Sequence, residues 1–235
     1  MPHPTATSFH PNLLRGKFLV LDGGEGCGKT TQMRKLVSGL QHAGLTVCHV
    51  RDPGGTSAGE RIRSLLLDPA TGEIDMRCEM LLYMAARAQL IAEVIRPAMA
   101  RGEVVVSDRF VSSTLAYQAG EHLTAGEIRR VAEVATGGTM PDLTLVLDVP
   151  TEIAMGRVTP EFVPLFDGAG VADPTRDRIE QRPVEYHKQV RQRYLAQAET
   201  DGTIIIDASA DEETVTKRLA SAINTHFRAA VEGAA

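Results

Sequence analysis

The sequence predicts an α/β protein built on a five-stranded parallel sheet, with helices on both faces and a lid. Two observations carry that class. Runs rich in valine, isoleucine and leucine alternate with stretches of helical periodicity, the pattern of strand–helix–strand units whose crossovers cover a parallel sheet. In addition, Gly23-Gly24-Glu25-Gly26-Cys27-Gly28-Lys29-Thr30 fits G-x-x-x-x-G-K-[ST] in the context that makes the pattern specific, after a strand and before a helix. At 235 residues the chain is sized for one domain with a sizeable core.

Residues 1–15 contain three prolines and no periodicity, and read as a flexible tail. The domain is expected over 16–228, with a second tail at 229–235. The apolar run at 17–22 reads as a buried strand, and 29–43 as its crossover helix, closed by Gly44. Residues 46–50 form a second strand, followed by a loop and a short helix at 58–67. A long helical pattern spans 76–99, with a kink expected at Pro97. Gly102 stops it, and Val104-Val105-Val106 has the β-branched content of a central strand. Thr124 and Glu127 have capping-box spacing and open a helix to about 135. Strands at 143–147 and 203–206, a helix at 183–198 and a last helix from 211 complete the order. The stretch 157–178 mixes prolines and glycines with Phe162, Val163, Leu165 and Phe166, and is too long for a plain connection; it reads as a lid.

Composition narrows the partners. A net charge of −5 and a pI near 5.8 argue against a nucleic-acid binder that relies on a broad basic surface. The three cysteines lack metal-ligand spacing and suit a reducing cytoplasm. No apolar run has membrane-spanning length, and the first residues lack the charged and apolar blocks of a signal peptide.

The glycine loop implies a nucleoside triphosphate. Its glycines let successive N–H groups face a polyphosphate at a helix N-terminus. Lys29 would reach the outer phosphates and Thr30 would ligate the accompanying Mg²⁺; a glycine-rich turn is the alternative. In such a sheet ligands gather at the carboxyl ends of the strands. Asp108 there suits a metal-bound water and Arg109 a phosphate clamp, or else a helix cap and its solvated neighbour. Glu25, an acid inside an anion cradle, is expected to accept a sugar hydroxyl or meet the metal. Tyr83 and Arg87 share a helix face and could stack on a base and bond its edge, or simply belong to the core. Arg157, Arg176 and Arg178 flank the lid, placed to deliver positive charge or to remain solvated. Cys27, at a helix N-terminus beside Lys29, is expected to ionise easily.

Several motifs in order resemble the thymidylate kinase family, from 16 to 208: the loop 23–31, Arg51-Asp52-Pro53-Gly54-Gly55-Thr56, Leu81-Leu82-Tyr83-Met84-Ala85-Ala86-Arg87, the block 108–118, and Asp177-Arg178-Ile179-Glu180. The resemblance implies a P-loop NTPase fold of the nucleoside monophosphate kinase type, a homodimer, and phosphorylation of dTMP by MgATP. A kinase for another nucleoside monophosphate and a non-catalytic ATP-binding sensor are the rivals. Carried over by position, ATP meets Gly23, Gly24, Glu25, Gly26, Cys27, Gly28, Lys29, Thr30 and Thr31, with adenine near Ala208. Acceptor contacts fall to Glu25, Pro53, Gly54, Tyr83, Arg87, Arg109, Thr114, Tyr117 and Gln118, with Tyr117 crowding the sugar 2′ position. Thr30, Asp108 and Glu25 are the implied metal contacts. Gly26 stands where one branch of the family carries a basic residue, so a lid arginine (Arg157, Arg176 or Arg178) is implied as catalytic together with Lys29 and Arg109. Asp52 departs from the family's usual glutamate, a shorter reach toward the arginine it orients.

Overall fold

The computed structural model describes residues 9–158 and 177–232. Five strands, β1 (Phe18–Gly23), β2 (Val47–Arg51), β3 (Val104–Asp108), β4 (Leu143–Asp148) and β5 (Ile204–Asp207), form one parallel sheet in the order β2-β3-β1-β4-β5. The sheet is buried on both faces, which is why its central strands read as unbroken apolar runs. In β1, Leu19 and Leu21 face one core while Phe18 and Val20 face the other; Val104 and Val106 of β3 join the first, and Val105 the second.

The first core is covered by α2 (Lys29–His42) and α10 (Glu212–Glu232). The second is covered by α4 (Met76–Leu90), α5 (Arg96–Ala100), α6 (Val111–Tyr117) and α7 (Ala125–Thr136). The predicted capping box is present: Glu127 N–H donates to Thr124 Oγ1 (3.2 Å), and Thr124 N–H to Glu127 Oε2 (2.8 Å). Register levels the strand ends, pairing Leu21 and Arg51 with Asp108, and Gly23 with Leu147.

The structure corrects the expectations in four places. Residues 9–15 are not a tail: α1 (Pro11–Leu14) forms, and Phe9 and Leu14 are buried. Phe9 fits because α2 carries Gly39, where a Cβ would stand 3.0 Å from the Phe9 ring. The C-terminal helix continues to Glu232, past the expected boundary at 228. The long helix departs from α geometry over Ile91–Ile95, upstream of Pro97, as a π turn. The proline has no N–H for the carbonyl four residues back and its ring crowds that carbonyl, so the widened turn precedes it. Finally, residues 157 and 158 close helix α8 (Thr151–Val158) instead of opening a loop. The remainder of the expected lid, 159–176, lies outside the described residues.

Removing the Phe9 ring would empty a slot that Gly39 leaves open. Phe9→Ala is expected to cost about 3–5 kcal/mol, read as a lower urea midpoint at unchanged slope; a midpoint equal to the parent's would return this segment to the status of a tail.

Candidate active site

The loop after β1 is shaped by close approach as well as by backbone freedom. Gly23 has φ 141°, and a Cβ there would sit 2.6 Å from the Leu147 carbonyl oxygen on the neighbouring strand. Gly28, at φ 86°, is the left-handed residue that starts α2, so the helix's unpaired N–H groups open toward the loop. Lys29 folds back, its Nζ 3.3 Å from the Gly23 carbonyl, and with Thr30 lines a cleft at the strand ends. Gly24 and Cys27 border an adjoining hollow below β4, whereas Thr31 lies on the outer side of α2. Cys27 is not an activated thiol. It is buried, and burial pushes its pKa up against the pull of Lys29 and Arg109.

Asp22, the residue before the loop, went unnoticed in the sequence because it reads as the end of a strand. Its buried carboxylate accepts from Gly23 N–H (2.9 Å), Ser112 Oγ (2.6 Å), Ser113 Oγ (2.8 Å) and Tyr194 Oη (2.6 Å). Tyr194 stands on α9 (Val184–Thr200), so one anion ties β1, α6 and α9 together. Arg109 leans on this group: Nη1 lies 3.5 Å from Asp22 Oδ1 and 3.1 Å from Ser113 Oγ, and Nη2 donates to Glu25 Oε1 at 2.6 Å. Among the described residues Arg109 is the one non-glycine at positive φ (72°), backbone strain placed at a strand end facing the cleft.

Glu25 resolves the puzzle of an acid in an anion cradle. Arg109 and the Tyr117 hydroxyl (2.9 Å) both bond its Oε1. Burial alone would raise its pKa, but Arg109 and Lys29, helped by Tyr117, hold it down at about 2. It therefore aims the arginine and the tyrosine through one oxygen.

Across the cleft, Arg87 is fully buried. Its Nε donates to Asp52 Oδ2 (2.5 Å), Nη2 to Phe110 O (3.0 Å) and Thr114 Oγ1 (3.1 Å), and Nη1 to Met84 Sδ (3.1 Å). Of arginine's five N–H donors, one on Nη1 has no partner among the described residues. Asp52, for all its shorter reach, holds the guanidinium. Tyr83 lines the same cleft. Burial, reinforced by Glu79, pushes its phenol well above the usual range, so the ring stays neutral. Pro53 lines the cleft and takes a bond from Arg63 (3.1 Å), a cation not singled out in the sequence. Gly54 does not line it; it abuts the Arg51–Glu60 ion pair. Gln118 reaches the cleft wall but spends its amide on Glu79.

Asp108 is not a helix cap, since α6 begins at Val111 with Phe110 as its N-cap and no side-chain cap. Its buried Oδ1 has no hydrogen-bond partner among the described residues, and it shares the cleft with Thr30 and Glu25. One free carboxylate oxygen, a hydroxyl and a second carboxylate are hard donors of the kind a Mg²⁺ ion that keeps several waters takes from a protein; the residues fit. Among the described residues no cluster of three His, Cys, Asp or Glu side chains exists that could hold a metal unaided.

The lid arginines separate. Arg157 is exposed in the last turn of α8, and Arg176 lies outside the described residues. Arg178 is not among the residues that line the cleft; its side chain bonds Glu79 and the Leu66 carbonyl. Ala208 is buried after β5, its N–H on the Asp148 carbonyl (2.8 Å).

Lys29 and Thr30 of the glycine loop and a second set of cations, Arg51, Arg63, Arg87 and Arg109, line one cleft. That is the geometry of a P-loop kinase for nucleoside monophosphates. The thymidylate kinase family pattern matches residues 21–219, and this chain belongs to that family. A thymidylate kinase of Deinococcus radiodurans is 40% identical over 213 residues, spanning 89% of this chain and 97% of its own. One from Solidesulfovibrio magneticus is 42% identical over 201 residues (84% and 94%), and one from Desulforudis audaxviator 41% over 221 (93% of each).

Asp22→Asn should misplace Arg109 and lower kcat/KM about 10²-fold; steady-state kinetics with activity near the parent's would show that Arg109 does not depend on it. Because Glu25 is depressed from 4.5 to about 2, its contribution to stability is present above pH 4.5 and lost as pH falls toward 2. Glu25→Gln should therefore lower the urea midpoint at pH 7 and narrow its gap to the parent on acidification. A gap independent of pH would contradict the assignment.

Proposed function

We propose that this protein transfers the γ-phosphoryl group of ATP to the 5′-phosphate of dTMP, giving dTDP and ADP. The observation that carries the reading is the buried Asp52–Arg87–Thr114 group, whose arginine keeps one N–H unpaired among the described residues and lines one cleft with the neutral ring of Tyr83 and with Lys29. A flat ring and a single fixed donor suit a pyrimidine with a carbonyl at its edge.

The acceptor oxygen is already anionic, so positioning and neutralisation of charge do most of the work. Lys29 and the loop N–H groups hold the donor phosphates. Arg109, aimed by Glu25 and Asp22, holds the acceptor phosphate against them. Tyr117, fixed by its bond to Glu25, crowds the sugar 2′ position and disfavours ribonucleotides. Thr30 and Asp108, with Glu25, would hold Mg²⁺, which when bound supplies further positive charge to the phosphates. With Arg178 committed elsewhere, Arg157 and Arg176 are the remaining candidates for the arginine at the transferring group.

A homodimer is part of the proposal. The exposed Leu65, Leu81 and Val134 lie on α3 (Ser57–Leu67) and its successive neighbours α4 and α7, an apolar outer face suited to a second copy. A cytoplasmic setting is supported by three unpaired cysteines; among the described residues no helix is long and apolar enough to cross a membrane.

A panel of dTMP, dUMP, UMP, dCMP, AMP and GMP with MgATP tests the reading, and dTMP should give the highest kcat/KM. Lys29→Ala should reduce turnover at least about 10²-fold, and Arg109→Ala should chiefly destroy use of the acceptor. A preference for another monophosphate, or near-normal kcat/KM in either variant, would overturn the corresponding assignment.

A further inference from the structure

Glu79 lies on α4 one turn before Tyr83 and two turns before Arg87, on the same face. Its carboxylate is fully buried and accepts from Gln118 Nε2 (2.8 Å), Arg182 Nη2 (2.8 Å) and Arg178 Nη2. A buried carboxylate between two guanidinium groups is weak evidence of stabilisation, because well-packed apolar side chains often serve stability as well. What the arrangement does secure is position.

Its partners come from three places: Gln118 at the end of α6, Arg178 in the turn over 178–181, and Arg182 just before α9. That turn is itself rigid. Asp177 Oδ1 accepts from Ile179 N–H (2.8 Å) and Glu180 N–H (2.9 Å), and Glu180 Oε2 accepts from Asp177 N–H (3.2 Å). Arg178 also bonds the last carbonyls of α3, with its N–H on Leu67 O (3.0 Å) and its Nε on Leu66 O (2.9 Å). Asp177, Ile179 and Glu180 line the cleft with Tyr83, whereas Glu79 does not reach it.

We propose that Glu79 is a positioning residue for the acceptor: it fixes the gap between the Tyr83 helix and the Asp177–Glu180 wall, so that acceptor affinity depends on a carboxylate the acceptor never touches. This rests on reading the cleft as the dTMP site. The donor loop shares no bond with Glu79, so donor affinity is set independently.

The test is steady-state kinetics and calorimetric dTMP binding on the full chain, comparing the parent with Glu79→Gln and Arg178→Gln; the second variant opens the same clamp while leaving Glu79 its bonds to Arg182 and Gln118. Expected is a rise of about tenfold in KM and Kd for dTMP in Glu79→Gln, and a smaller rise in Arg178→Gln. KM for ATP and saturated kcat should stay within about twofold of the parent. Should Glu79→Gln not fold, the same acceptor-selective split in Arg178→Gln decides. Acceptor constants equal to the parent's, or KM for ATP rising in step, would overturn the proposal and reduce Glu79 to a structural ion. A parent protein that binds no dTMP would instead overturn the reading of the cleft, and this inference with it.

Discussion

The structure turns on a single buried anion at the end of β1. Asp22 has no solvent to satisfy it, so it must be met by donors from the protein, and those donors come from the phosphate loop, from α6 and from α9. An unpaired carboxylate in that position would cost several kcal/mol. The elements that supply its partners are therefore held together as strongly as the charge demands. Arg109 is built on that support, which is how a residue at φ 72° can be kept in place.

The same logic runs through the cleft. Two of the cations in the cleft have an anion behind them: Glu25 behind Arg109, Asp52 behind Arg87. The anions fix direction at the cost of some positive potential, and the unopposed Lys29 and the N-terminus of α2 restore it for the donor phosphates. Asp108 differs, since its buried Oδ1 has no hydrogen-bond partner among the described residues. Precise aim and strong attraction are thus assigned to different groups.

Much of this was legible in the chain. Doubly buried strands appear as apolar runs, the glycine loop announces itself by spacing, and Tyr83 with Arg87 follows from helical period. Contacts across long sequence separations were not legible. Nothing in the surroundings of Tyr194 indicates that its hydroxyl meets Asp22, 172 residues away. Glu79 looks like an ordinary first-turn acid of a helix, and only the fold brings Arg178 and Arg182 onto it. The contacts of Arg178 were hidden for the same reason, because a charge at the edge of a loop gives no sign of which way it will turn. Phe9 was missed because its partner is a gap, the absent side chain of Gly39.

The π turn at Ile91–Ile95 also sets phase. An α-helix advances by about 100° per residue, and a π turn spends one residue more than an α turn on a single revolution. The upstream half can thus present Glu79, Tyr83 and Arg87 in one direction while Ile95 and Ala98 downstream remain in the core beneath the sheet. Loss of one residue here would leave an ordinary α turn with the two halves still in phase, whereas loss of one from the regular helix on either side would rotate them apart by about 100°. This short segment thus takes up one residue of length without disturbing the face that carries Tyr83 and Arg87.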